Sequence, residues 1–210
     1  MTPTASARTF DVRHLQLARA AFAAIAAVMV TFSPDHSATV GLAVFSGFAI
    51  ATGLVFAVAA WLVYPAGRRW PSVLLGALSL VAGLVASIGS LRSTTTFFVL
   101  VIAWALVTGL IEAIVAFRAH RTDADRSTSR DGLTIGALTV VLGLALLLVQ
   151  PGYALDYYLE DAERSFTLTG ITIAVGVFGG YAAIVAVFLG IAGFSPRRAP
   201  APTPADRSIP

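Results

Sequence analysis

From Thr94 to Phe117 the chain carries a single charged residue, Glu112. At about 1.5 Å of rise per residue, a helix over this stretch crosses the roughly 30 Å hydrocarbon core of a bilayer. Five further apolar runs have comparable length, at about 15–32, 39–64, 72–89, 132–149 and 166–194. Backbone groups in hydrocarbon must be bonded within the protein, so runs of this kind form helices. The expected fold class is all-α, a six-span polytopic membrane helix bundle. A carboxylate inside a span is costly unless it is paired, protonated or turned to a wet interior, which makes Glu112 the leading functional candidate.

Composition agrees with this reading. The 210 residues are 57% hydrophobic and 12% charged, about half the charged fraction of a soluble domain. Mean hydropathy is +0.84. The 14 basic residues are all arginine, a bias expected of a GC-rich bacterial genome. The net charge of +3 resides in short loops and tails, where it sets topology and meets anionic lipid, so no nucleic-acid partner is expected. With no cysteine, disulfides, thiolate nucleophiles and thiolate metal sites are excluded.

Residues 1–14 read as a cytoplasmic arm, 15–194 as the transmembrane domain and 195–210 as a proline-rich, disordered cytoplasmic tail. No small-x-small cleavage pattern follows the first span, which is expected to remain attached. With the N-terminus inside, Arg8, Arg13, Arg19, Arg68, Arg69, Arg118, Arg121, Arg126, Arg130, Arg197, Arg198 and Arg207 all fall on the cytoplasmic side. Only Arg92 and Arg164 fall outside, so both termini are expected in the cytoplasm of a bacterium, with the protein in its inner membrane.

The polar RAHRTDADRSTSRD segment reads as a solvated connection. The segment YALDYYLEDAER differs from it, combining Asp156, Glu160, Asp161 and Glu163 with Tyr153, Tyr157 and Tyr158. It is expected to form a short helix at the headgroup boundary, either as a tyrosine-rich interfacial connection or as a cation or partner site.

The spans group in chain order into three similar helical hairpins, about 15–64, 71–117 and 132–194. Gly76-Ala77-Leu78, Val81 and Gly83-Leu84 recur at one constant offset as Gly136-Ala137-Leu138, Val141 and Gly143-Leu144. Thr52-Gly53-Leu54 recurs as Thr108-Gly109-Leu110, and Gly179-Gly180-Tyr181 has the corresponding depth in the last span. Under this alignment Glu112 stands where the other hairpins have Phe56 and Ala183. The glycines read first as helix-packing positions, since close approach drives association in lipid.

The segments GALSLVAGL, GALTVVLGLALLLVQP and TGLIEAIVAFRAHR resemble the HdeD-like family of small bacterial membrane proteins, which carries a short repeat of unknown function. The resemblance extends over about Leu15 to Phe194 and implies six spans built from repeated hairpins. It also implies a link to acid resistance without an established enzymatic reaction. Within the matching stretch it singles out Glu112 and Arg118.

No catalytic constellation accompanies these residues. His14, His36 and His120 fall on two sides of the membrane and have no metal-ligand spacing. His36 beside Asp35 is a candidate sensor of low pH, weighed against a plain turn residue. Ser46, Ser79, Ser87, Thr108 and Thr139 are expected to bond helix carbonyls or neighbouring helices. For Glu112 the alternatives are a boundary carboxylate reaching water or a neighbouring helix, a proton or cation contact in a cavity, and a subunit contact.

The expected function is that of a non-enzymatic accessory or structural membrane protein in envelope homeostasis, acid stress or a membrane complex. The alternative is a small proton-coupled transporter or channel using Glu112, with Trp104 and Thr108 as further candidates. No cofactor is expected. Expected partners are membrane lipids and either a second copy or another membrane protein.

Overall fold

The computed structural model describes residues 11–121, 126–159 and 164–195. Among these residues six α-helices follow in order: α1 (Val12–Phe32), α2 (Ala38–Leu62), α3 (Trp70–Ser87), α4 (Thr94–Arg121), α5 (Arg126–Leu148) and α6 (Gly170–Phe194). Each is long and apolar enough to cross a membrane. Their outward faces carry Met29, Leu54, Val81, Val99, Leu144 and Ile191, all exposed as lipid-facing side chains are. The arm before Asp11, the tail after Ser195, and the acids Glu160, Asp161 and Glu163 lie outside the described residues.

Local chemistry sets the helix limits. Asp11 caps α1 by accepting from the Arg13 N–H, while His14 Nδ1 accepts from the Asp11 N–H, so the helix starts one turn earlier than the apolar run. Ser37 caps α2, and Asp35 holds that serine through its N–H and hydroxyl, both at 2.8 Å. Pro71 occupies the first turn of α3, where its missing N–H leaves no intrahelical bond unmade.

We call the end of the bundle where α1 begins the near end. It also carries the α2–α3 turn, the α4–α5 connection and the end of α6. The far end carries the 33–37 and 88–93 turns and the α5–α6 connection. That last connection is an antiparallel ribbon of β1 (Ala154–Leu159) and β2 (Arg164–Thr169), where the sequence suggested a short helix. Alternating aromatic, aliphatic and threonine residues favour paired strands, and the Thr167 hydroxyl donates to Asp156 across the ladder at 2.6 Å. The last span consequently starts at Gly170 and not at Phe166. The fold is thus all-α in its membrane part, with one small sheet outside it.

The repeat is real, but its closest helix pairs are not the hairpins taken in chain order. The extensive interfaces join α2 to α3, α4 to α5, and α1 to α6; the pairs α1/α2, α3/α4 and α5/α6 touch far less. Glycine placement is the reason. A Cβ at Gly53 would stand 2.9 Å from the Gly76 carbonyl on α3, and one at Gly83 would stand 2.6 Å from Ile50 on α2. The α4/α5 pair repeats this contact for contact: Gly109 lies against the Gly136 carbonyl and Gly143 against Leu106. Gly179 against Val30 and Gly193 against Leu17 bring α6 to α1 and close the ring. The Ser46 hydroxyl donates to the Gly83 carbonyl and the Ser72 hydroxyl to the Phe56 carbonyl, each at 2.8 Å, adding polar ties to the α2/α3 interface.

The core inside the far half of the bundle is aromatic. Phe45, Phe48, Trp104 and Phe178 meet edge to face, with centroids 5.3–5.8 Å apart. At the near end, Trp61 and Trp70 are exposed, as residues of an interfacial aromatic belt are.

The glycine contacts can be tested by adding one methyl group. Gly136→Ala places a Cβ 2.5 Å from the Ala113 backbone nitrogen and is expected to cost about 1–3 kcal/mol in unfolding measurements in detergent. Gly176→Ala, which meets nothing within 4 Å, is expected to leave stability unchanged or raise it slightly.

Candidate functional site

Glu112 faces the interior of the bundle. The α4 helix continues beyond it through the basic turn Arg118–Arg121, and the carboxylate itself is largely buried against its neighbours. Its partner is Arg19 of α1, which stands two turns past the Asp11 cap on the buried face shared by Leu15, Ala23 and Ala26. Alanine at those positions lets the arginine side chain reach across the axis of the bundle. Arg19 donates from both terminal nitrogens to the two Glu112 oxygens, at 2.7 and 3.1 Å, in a bidentate pair with each side chain 13% exposed. The guanidinium also stacks on the Phe56 ring, 4.6 Å from its centroid. Phe56 and Glu112 are equivalent positions of the sequence repeat, so the two copies hold one cation, by a ring face and by a carboxylate. Ala183, the third position of that alignment, is exposed on α6 and takes no part.

The ion pair separates two cavities. On the near side is a vestibule of about 460 Å³, walled by Leu15, Phe56, Leu75, Val115, Ile135 and Leu189, with Arg68 and Trp70 at its rim. The Gln16 amide donates to Asp131 at 2.8 Å on its wall, bridging α1 to α5. Tyr64, just past α2, lines the same space. Burial pushes its hydroxyl above the usual phenol range; the Arg19 charge opposes that shift and the Glu112 charge adds to it.

Beyond the ion pair lies a chamber of about 20 Å³, ringed by polar residues from every other helix. Thr52 comes from α2, Ser79 from α3, Trp104 and Thr108 from α4, Thr139 from α5 and Tyr181 from α6. Trp104 Nε1 donates to Ser79 Oγ at 3.1 Å, and Thr139 Oγ1 meets the Tyr181 hydroxyl at 2.8 Å. Ser79 and Thr139 are the repeat-equivalent residues of GALS and GALT, each bonded to an aromatic residue of the helix that follows it in the chain. Thr108 and Thr139 also bond back to the Trp104 and Ile135 carbonyls, as expected of hydroxyls inside a span. The Phe45, Phe48, Trp104 and Phe178 cluster then fills the axis toward the far end.

The other residues singled out from the sequence do not join this site. Arg118 is exposed near the end of α4. His36 lies in the 33–37 turn, where Asp35 is engaged with Ser37. Asp156 is a cross-strand partner of Thr167 in the exposed ribbon. Arg19, in contrast, had been counted only among the topology-setting charges. The signal that would have found it is its position inside an alanine-rich helix, a full two turns from the cap. Among the described residues, no group of three His, Cys, Asp or Glu side chains could hold a metal ion.

Chemically, the arrangement clamps α1 to α4 and keeps opposite charges mutually compensated in a low-dielectric interior. Removing one partner strands the other, whereas removing both does not. Arg19→Leu and Glu112→Leu are each expected to lower unfolding stability by about 3–5 kcal/mol, and the double variant to recover most of that loss. Additive losses in the double variant would contradict the pairing.

No curated protein and no solved structure is significantly similar to the chain. A family match does exist, and it spans α1 from its second turn, all of α2 and all of α3. It includes Arg19, Phe56 and the GALSLVAGL segment, while Glu112 and the other two repeat segments lie beyond it. Residues 18–88 match the family described as a short repeat of unknown function (DUF308), a match that covers about a third of the chain and agrees with its HdeD-like resemblance.

Proposed function

We propose that the protein is a non-enzymatic accessory or structural component of a bacterial inner membrane, serving envelope homeostasis, acid stress or a membrane complex. One observation carries this reading: the carboxylate inside the bundle is spent on a bidentate ion pair with Arg19. A transporting acid must exchange protons or cations, and Glu112 is instead a tie between α1 and α4. Packed aromatic rings close the axis beyond it. Exposed apolar helix faces and the ribbon with Tyr157 and Tyr158 at its surface offer contacts for lipid, a second copy or another membrane protein.

A proton-coupled transporter or channel is the second reading. It is favoured by the position of Glu112 between the vestibule and the polar chamber. Reconstitution into liposomes with an internal pH dye separates the two. No flux above that of protein-free vesicles is expected, either for the native protein or for Glu112→Gln. A proton flux present in the native protein and abolished by E112Q would establish the transport reading instead.

The arginine distribution supports an orientation with both termini in the cytoplasm. Because the chain has no cysteine, single-cysteine variants report on topology without background. In intact spheroplasts Ser37→Cys is expected to react with a membrane-impermeant maleimide. Gly67→Cys, in the near-end turn, is expected to react only after lysis.

A further inference from the structure

Thr52 is 4% exposed, and its Oγ1 has no hydrogen-bond partner among the described residues. An orphaned hydroxyl at this depth costs free energy that neither lipid nor the aromatic core can return. It lines the 20 Å³ chamber, whose size exceeds the roughly 10–15 Å³ needed for one water and falls well short of an organic ligand. We propose that this chamber is a binding site for a single water molecule, which accepts from Thr52 and bonds to other polar groups of the same lining.

The hydrogen-bond inventory selects the ligand. Thr139 spends its one hydroxyl proton on the Ile135 carbonyl, so in the Thr139–Tyr181 contact it is Tyr181 that donates, leaving Tyr181 Oη as an acceptor. Thr108 likewise donates to the Trp104 carbonyl and can only accept from a ligand. Ser79 Oγ accepts from Trp104 and keeps its own proton available. Thr52 and Ser79 therefore supply donors, while Tyr181, Thr108 and the spare lone pairs of Glu112 supply acceptors. Arg19 and Glu112 cancel each other's charge. A halide would leave the acceptors unmet and a metal ion would face the donors, each bringing an uncompensated charge. One water can accept from both donors and donate to two of the acceptors, and it is neutral. The Thr52/Thr108 and Ser79/Thr139 pairs occupy equivalent repeat positions, so two copies of one motif converge on the same small space.

This site goes beyond the accessory reading and does not depend on it. Water-edited solid-state NMR of the full chain in bilayers tests it directly, with Leu42 of the dry core as the internal control. Rapid polarisation transfer from water to the Thr52 side chain is expected, with none to Leu42; absence of transfer to Thr52 overturns the site. A second measurement compares unfolding temperatures. If Thr52 is hydrated, Thr52→Val loses the water and melts lower, while Thr52→Ser keeps both the water signal at residue 52 and the native melting temperature. If the hydroxyl is a true orphan, T52V removes a penalty and melts higher, which also overturns the site. Should T52V fail to fold, the native and T52S spectra decide the matter.

Discussion

In hydrocarbon, burying one more leucine gains almost nothing, because lipid is as apolar as the leucine side chain. Helices must then be held by close backbone approach and by polar contacts between them. The glycines at 53, 76, 83, 109, 136 and 143 meet the first requirement. Each stands where a Cβ would be driven into the neighbouring helix. This explains why the repeated unit packs most closely across α2/α3 and α4/α5, although sequence similarity is most easily seen from one hairpin to the next.

The second requirement is met near the axis. The pairs α1/α2, α3/α4 and α5/α6 touch less than the others, and residues of all six helices line the vestibule. Polar bonds bridge two of these looser junctions, Trp104 to Ser79 between α4 and α3 and Tyr181 to Thr139 between α6 and α5, while Arg19 to Glu112 ties α1 to α4 across the bundle. Divergence of the repeat has functional content here. Phe56 and Glu112 stand at equivalent repeat positions, and one holds the Arg19 guanidinium by its face, the other by its two terminal nitrogens.

Six spans, their approximate ends, the internal repeat and the packing role of the glycines were legible in the sequence, because each depends on local composition or spacing. The helix pairing was not. Both groupings are compatible with the same glycine pattern, and which face of a helix meets which neighbour is a property of the assembled bundle. The α5–α6 ribbon was missed because its tyrosines suit either an interfacial helix or a strand. Glu112 was found because a lone acid in an apolar run is visible by itself. Arg19 was not, because an arginine near the start of a first span is also what the positive-inside rule predicts. Thr52 could be seen to repeat as Thr108, but only the three-dimensional arrangement separates a hydroxyl bonded to its own helix from one left over.

The ion pair joins residues 93 positions apart, and this imposes an order of events during synthesis. At roughly 5–20 residues per second, α1 emerges about 5–20 s before Glu112 can reach it. Throughout that interval the membrane holds a helix with an uncompensated arginine two turns from its end. Phe56 emerges earlier on α2 and offers the guanidinium an aromatic face before the carboxylate exists. The ring that stacks on the Arg19 guanidinium is thus synthesised before the carboxylate that neutralises it.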